Sequence, residues 1–159
     1  MAALLDNDGP LDLYASIVAV GWTAVWYMGL CLGIEPVNEF LLRCFAWFGI
    51  FDAGITSVDE INTGIGALGG CSYALPCIAI YFPRFLGKET PAARQTRQEY
   101  GFWVWTGWVI FNIVPLLGLH DSPYSGSPAN YVWLVNNIFI AYLHYRWAGK
   151  SALSKLKLA

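Results

Sequence analysis

The sequence predicts an all-α integral membrane protein: a bundle of five transmembrane helices that forms a single domain over residues 1–159. Three observations predict it. Of 159 residues, 57% are apolar and 16% aromatic, whereas 13% are charged, about half the ~25% charge of a soluble domain. Long charge-free runs divide the chain, with 22 residues over 13–34 and 23 over 61–83, against about 20 needed to cross ~30 Å of hydrocarbon. When five spans are laid out, all nine basic residues fall on one side, as the positive-inside rule requires.

Taken in order, the first span covers about 13–34 and is preceded by Asp6, Asp8 and Asp12. Met1–Asp6 lacks a basic segment, so the first span is expected to act as its own signal. The second span, 40–58, is apolar except for Arg43 and Asp52. The third, 61–83, is rich in small residues, and Gly66-x-x-x-Gly70 is a spacing that lets helix backbones approach closely. This helix is expected at the centre of the bundle or against a partner subunit. The fourth span is 101–119 and the fifth about 130–147, with Pro76 and Pro115 expected to kink their helices. Between spans three and four, residues 84–99 read as the one sizeable aqueous connection. The resulting topology has the N-terminus outside or lumenal and the C-terminus cytoplasmic. Arg84, Lys88, Arg94, Arg97, Lys150, Lys155 and Lys157 then lie inside, with Arg43 and Arg146 at the boundary. Omitting the 40–58 span would place the N-terminus and 84–99 on one side without breaking the charge rule. It would also leave a Phe- and Trp-rich apolar stretch on the surface.

Several function classes are excluded. A formal net charge of −2 gives no basic patch for nucleic acid. Four cysteines without a CxxC pair form neither a disulfide framework nor a zinc or redox motif. No phosphate-binding loop, HExxH or GxSxG motif is present, and no cofactor is expected. Trp22, Trp26, Trp103, Trp105, Trp108 and Trp147 read first as interface anchors and fillers, and His144 as an interfacial residue near Arg146.

Depth singles out the candidate site. Asp52 lies about six residues inside span two, roughly 9 Å below the surface at 1.5 Å per residue. Asn112, Asn136 and Asn137 reach a similar depth on spans four and five, with Thr56, Asn62 and His120 above them. An Asp in lipid costs about 2.5–3.5 kcal/mol, so Asp52 should face the interior and find donors, which the Asn amides can supply. Either these groups are interhelical glue, or they form a pocket in which Asp52 is acid or anchor and the Asn side chains orient a ligand.

Glu60-Ile-Asn62-Thr-Gly64-Ile-Gly66-Ala67-Leu-Gly-Gly70 resembles the chlorophyll-binding helix motif of light-harvesting proteins, Glu-x-x-x-Gly-Arg-x-Ala-Met-x-Gly. The likeness covers 11 residues, and Ile65 and Leu68 replace the family's Arg and Met. The arginine whose ion pair helps ligate pigment is therefore missing. Lys155-Leu-Lys157-Leu-Ala159 resembles the Lys-x-Lys-x-x signal that returns membrane proteins to the endoplasmic reticulum. In a eukaryote it implies that membrane.

The expected function is a non-catalytic accessory or assembly subunit of a larger membrane complex. Its partners would be the bilayer and a membrane protein seated on the Gly66/Gly70 face. Two alternatives use the Asp/Asn cluster. One is a binder or isomerase- or cyclase-like enzyme for a sterol, terpenoid or lipid, with Asp52 catalytic and Thr56, Asn62, Asn112, Asn136 and Asn137 binding. The other is a small channel or carrier.

Overall fold

The computed structural model describes residues 6–47, 67–119 and 128–156, and among these every regular element is helical. Helix α1, Pro10–Trp26, begins with proline in its first turn, where the missing N–H is not needed. Asp12 sits in that turn, favourably placed for the helix dipole. A wider turn, Tyr27–Cys31, prolongs α1, and α2, Glu35–Trp47, folds back from it. Helix α3 runs Ala67–Phe85 with Pro76 and Pro83 inside it. It ends at Gly87 (φ 64°), where Lys88 N–H donates to Pro83 O and Gly87 N–H to Arg84 O. This is the paired closure that a left-handed residue permits, and glycine adopts it without a Cβ clash.

Helix α4, Pro91–Leu116, follows a short connection. Thr90 Oγ1 accepts from the Ala93 amide at 3.2 Å and Pro91 opens the first turn, both ordinary helix-start devices. The expected 84–99 loop is therefore mostly helix. Helix α5, Pro128–His144, continues through a wide turn, Tyr145–Gly149, into α6, Lys150–Leu156, with helical backbone at both joints.

Side-chain pairings fix the directions. Asp12 meets Arg84 while Thr23 meets Cys77, so α1 and α3 are antiparallel. Asn112 meets Asn137 while Glu99 meets Lys155, so α4 and the α5–α6 rod are antiparallel. The most extensive contacts are within these two pairs, α1 with α3 and α4 with α5. A core of Ala15, Ala19, Cys77, Tyr81, Trp105 and Ile140 joins them.

One expectation about sidedness is corrected. Asp8 and Asp12 share one end of the bundle with Arg84, Arg94 and Arg97, rather than lying across a membrane from them. The reason is electrostatic: buried carboxylates need cationic partners, and α1 meets its partners only if its N-terminal end lies beside the α3–α4 connection. Charge counting by side treats those acids as neutral to the choice, and so could not detect the pairing.

One helix among the described residues, Pro10–Gly29, is both long and apolar enough to cross a membrane, and Leu75–Phe85 is a shorter apolar helix.

Candidate functional site

Of the residues singled out from depth, Asp52, Thr56, Asn62 and Gly66 lie outside the described residues, as does His120. Gly70 lies in the first turn of α3. The asparagines are described, and they do not converge on one point. Asn137 Nδ2 donates to Asn112 Oδ1 at 2.8 Å, both side chains buried, which ties α5 to α4. Asn136, the next residue, points another way and accepts from the Tyr14 hydroxyl at 2.5 Å, tying α5 to α1. Neighbouring residues on a helix do not share a face, so the two amides bind two different helices.

The main polar centre lies elsewhere, at the end of the bundle where α1, α3 and α4 meet. Arg97 is 0% exposed. Its Nη1 donates to Asp12 Oδ1 at 2.7 Å and to Ser16 Oγ at 3.1 Å. Its Nη2 donates to Asp12 Oδ2 at 3.0 Å and to Glu89 Oε2 at 3.2 Å. Its Nε donates to Glu89 Oε1 at 2.6 Å. All five donors of the guanidinium are thus used, in two bidentate forks and one hydroxyl bond. Arg84 Nε adds a second cation 2.6 Å from Asp12. Arg94 bridges Glu89 and Asp8, at 3.3 and 2.8 Å. Three carboxylates face three guanidiniums, so the cluster is neutral as a whole.

Burial alone would raise the pKa of Glu89, but the hydrogen bonds and charge of Arg97 and Arg94 outweigh it and hold the carboxyl below the usual glutamate range. Burial also works against the Arg97 cation, and Glu89 and Asp12 overcome this, leaving it more firmly protonated than a free arginine. A second cluster joins α4 to α6. Glu99 accepts from Ser151 at 2.5 Å, from Gln95 at 3.1 Å, and from Lys155. Burial pulls the Glu99 pKa up, while Lys155, Ser151 and Gln95 bring it below the ordinary value.

Beneath the arginine cluster, Tyr81 and His144 are both buried, with Oη and Nε2 3.3 Å apart. The Arg97 guanidinium lies over the Tyr81 ring, 5.6 Å from its centroid, in the range of a cation–π contact. His144 is 0% exposed and stands edge-on to Tyr81 and Trp147, so it is a core residue and not the interfacial one expected from its neighbour Arg146. Gly101 makes this packing possible, because a Cβ there would overlap the His144 ring and the Tyr81 hydroxyl.

The chain matches no family model, no characterised protein and no solved structure. Its function is therefore argued from geometry alone. No group of His, Cys, Asp and Glu suited to a metal ion occurs among the described residues.

Sequence reasoning passed over the arginine cluster because Asp12 and Arg97 were assigned to opposite sides. The signals were present all the same. Pro10 opens a helix two residues before Asp12, and Thr90-Pro91 opens one before Arg94 and Arg97. Asp12, Ser16 and Thr23 then fall on one face of α1 by helical spacing.

Proposed function

We propose that this protein is embedded in a membrane as a non-catalytic subunit that stabilises or assembles a larger complex. The supporting observation is that polar and small residues share the interior with the apolar core while many large apolar side chains face outward. On α1 the buried face carries Asp12, Ala15, Ser16, Ala19 and Thr23, whereas Leu13, Tyr14 and Ile17 are exposed. Helix α5 buries Asn137 and His144 together with Ile140 and Leu143, while Val135 (68% exposed), Ile138, Phe139 and Tyr142 face outward. On α4, Arg97, Gln98 and Asn112 are inside with Phe102 and Trp105, and Ile110 (57%), Trp103 and Phe111 are outside. A soluble helix buries its apolar stripe. In lipid the polar and small groups turn inward, because hydrocarbon satisfies no donor or acceptor. In water, such continuous apolar faces would drive aggregation.

A structural rather than catalytic role is favoured because the polar groups are committed to one another. Arg97 uses every donor, Asn112 and Asn137 pair across helices, and the three acids of the cluster match three arginines. The antiparallel pairing of α1 with α3, and of α4 with α5, then places both outer ends of the bundle on one side. The positive-inside rule makes that side cytoplasmic, since Arg84, Lys88, Arg94, Arg146, Lys150 and Lys155 lie there.

Two steps test this reading. Alkaline carbonate should leave the full chain in the membrane pellet, and release into the supernatant would overturn the membrane assignment. Native mass spectrometry of the gently extracted protein should then show a stoichiometric protein partner. That partner should be lost with Gly70→Leu and retained with Asp52→Asn. Loss of a bound small molecule on Asp52→Asn, with no protein partner present, would instead favour the ligand-binding alternative.

A further inference from the structure

Outside the buried clusters, the described residues form an amphipathic groove whose chemistry is not consumed by its own packing. It is a cavity of about 340 Å³ between α3, α4 and α6, at the lower end of the range for small-molecule sites. Ile80, Tyr100, Trp103 and Leu156 form its apolar walls, while Thr96, Glu99 and Lys155 form its polar rim. The order along α4 is graded, since Thr96 and Glu99 lie toward the charged end of the bundle and Trp103 is one turn deeper.

Glu99 is saturated by Lys155, Ser151 and Gln95, but Lys155 is not saturated by Glu99. Its side chain is 65% exposed, and an ammonium has three donors. The carboxylate thus positions the ammonium at the mouth of the groove and leaves it donors to offer. The surrounding surface is cationic. Once the neutral arginine cluster and the Glu99–Lys155 pair are set aside, the described charges at this end are Lys88, Arg146 and Lys150 against Asp6.

We infer that this groove is a binding site for an anionic glycerophospholipid, its phosphate held by Lys155 and an acyl chain lying along Ile80, Tyr100 and Trp103. Three features carry the inference: the donors of Lys155 that Glu99 leaves unused beside a net positive surface, apolar walls below the rim, and a Trp and a Tyr of the kind that border headgroups. The inference rests on the membrane reading above, because only then is this rim at headgroup level.

The test is native mass spectrometry of the full chain in detergent micelles doped with phosphatidylglycerol or phosphatidylcholine, after carbonate extraction has separately established membrane insertion. Wild-type protein should retain one phosphatidylglycerol in preference to phosphatidylcholine. Lys155→Ala should lower that occupancy about fivefold, matching the ~1 kcal/mol a basic residue contributes at an anionic surface. Thr96→Trp, which fills the groove from an exposed position and leaves the charges in place, should abolish it. Lys150→Ala, on the same end but not lining the groove, should change it less than about twofold. Equal retention of both lipids overturns the proposal, as does undiminished binding in Thr96→Trp. An equal loss in Lys150→Ala also overturns it, because diffuse surface charge would then account for the binding. Release of the protein by carbonate would remove the membrane reading itself, a different failure from any of these.

Discussion

Arg97 shows how much one side chain can organise. Its five donors draw α1, the α3–α4 connection and α4 onto a single guanidinium. Removing one partner of a buried ion pair leaves the other charge unsatisfied, which typically costs about 3–5 kcal/mol. Arg97→Met is therefore expected to destabilise the protein by about that amount in a mixed-micelle denaturation monitored by tryptophan fluorescence. The double change Arg97→Met with Asp12→Leu should recover part of the loss, since the cluster is then balanced again, with Asp8 and Glu89 against Arg84 and Arg94. A double variant no more stable than Arg97→Met alone would contradict the pairing. Glu89 makes a related prediction in pH. Its folded-state pKa is depressed below the ordinary 4.5, so its contribution is present above that value and is lost as pH falls through the folded-state pKa. Wild-type stability should decline on acidification below about pH 4.5, and Glu89→Gln should flatten that decline while lowering stability at neutral pH.

Among the elements, the two helix pairs are held differently. The α4–α5 pair carries one buried amide bond, Asn137 to Asn112, and the close approach at Gly101. In bacteriorhodopsin, interhelical polar bonds of this kind average about 0.6 kcal/mol. A double-mutant cycle through Asn112→Leu and Asn137→Leu should return a coupling near that figure, and a value near zero would mean that the amides act independently. Gly101→Val should cost more, on the order of 1–3 kcal/mol for overpacking. It should also perturb the tryptophan spectrum, because His144 would be pushed against Trp147. Helix α1 needs no such glycine, since Ala15 and Ala19 already let it lie close to Cys77 and Tyr81.

For the whole molecule, the consequence of the ion cluster is topological. With α1 and α3 antiparallel and α4 and α5 antiparallel, the N-terminal end of α1 and the C-terminal end of α6 lie at one end of the bundle, which under the proposed membrane reading is one side of the bilayer. Single cysteines introduced at Asn7 and at Ser154 in a background with Cys31, Cys44, Cys71 and Cys77 removed should therefore be labelled from the same side in sealed vesicles. Labelling from opposite sides would contradict the Asp12–Arg84 and Asp12–Arg97 pairs and restore the odd number of spans expected from charge counting.

All-helical structure was legible in the sequence; the charge-free runs overlap α1, α3, α4 and α5, and Arg84, Arg94, Arg97 and Lys155 lie toward one end. These features depend on local quantities: charge-free length, proline and glycine punctuation, and the positions of Lys and Arg. The start of α4 at Pro91 was missed, because the charges of 84–99 read as an aqueous connection, although Thr90-Pro91 is a helix-start signal. The partners of Asp12, the division of Asn136 and Asn137 between two helices, and the burial of His144 were decided only by tertiary structure. Each depends on which helix faces which, and a residue's own sequence neighbourhood is the same whether a buried Asp meets an Asn or an Arg. Composition sets which groups need a polar partner, and packing alone selects the partner that satisfies them.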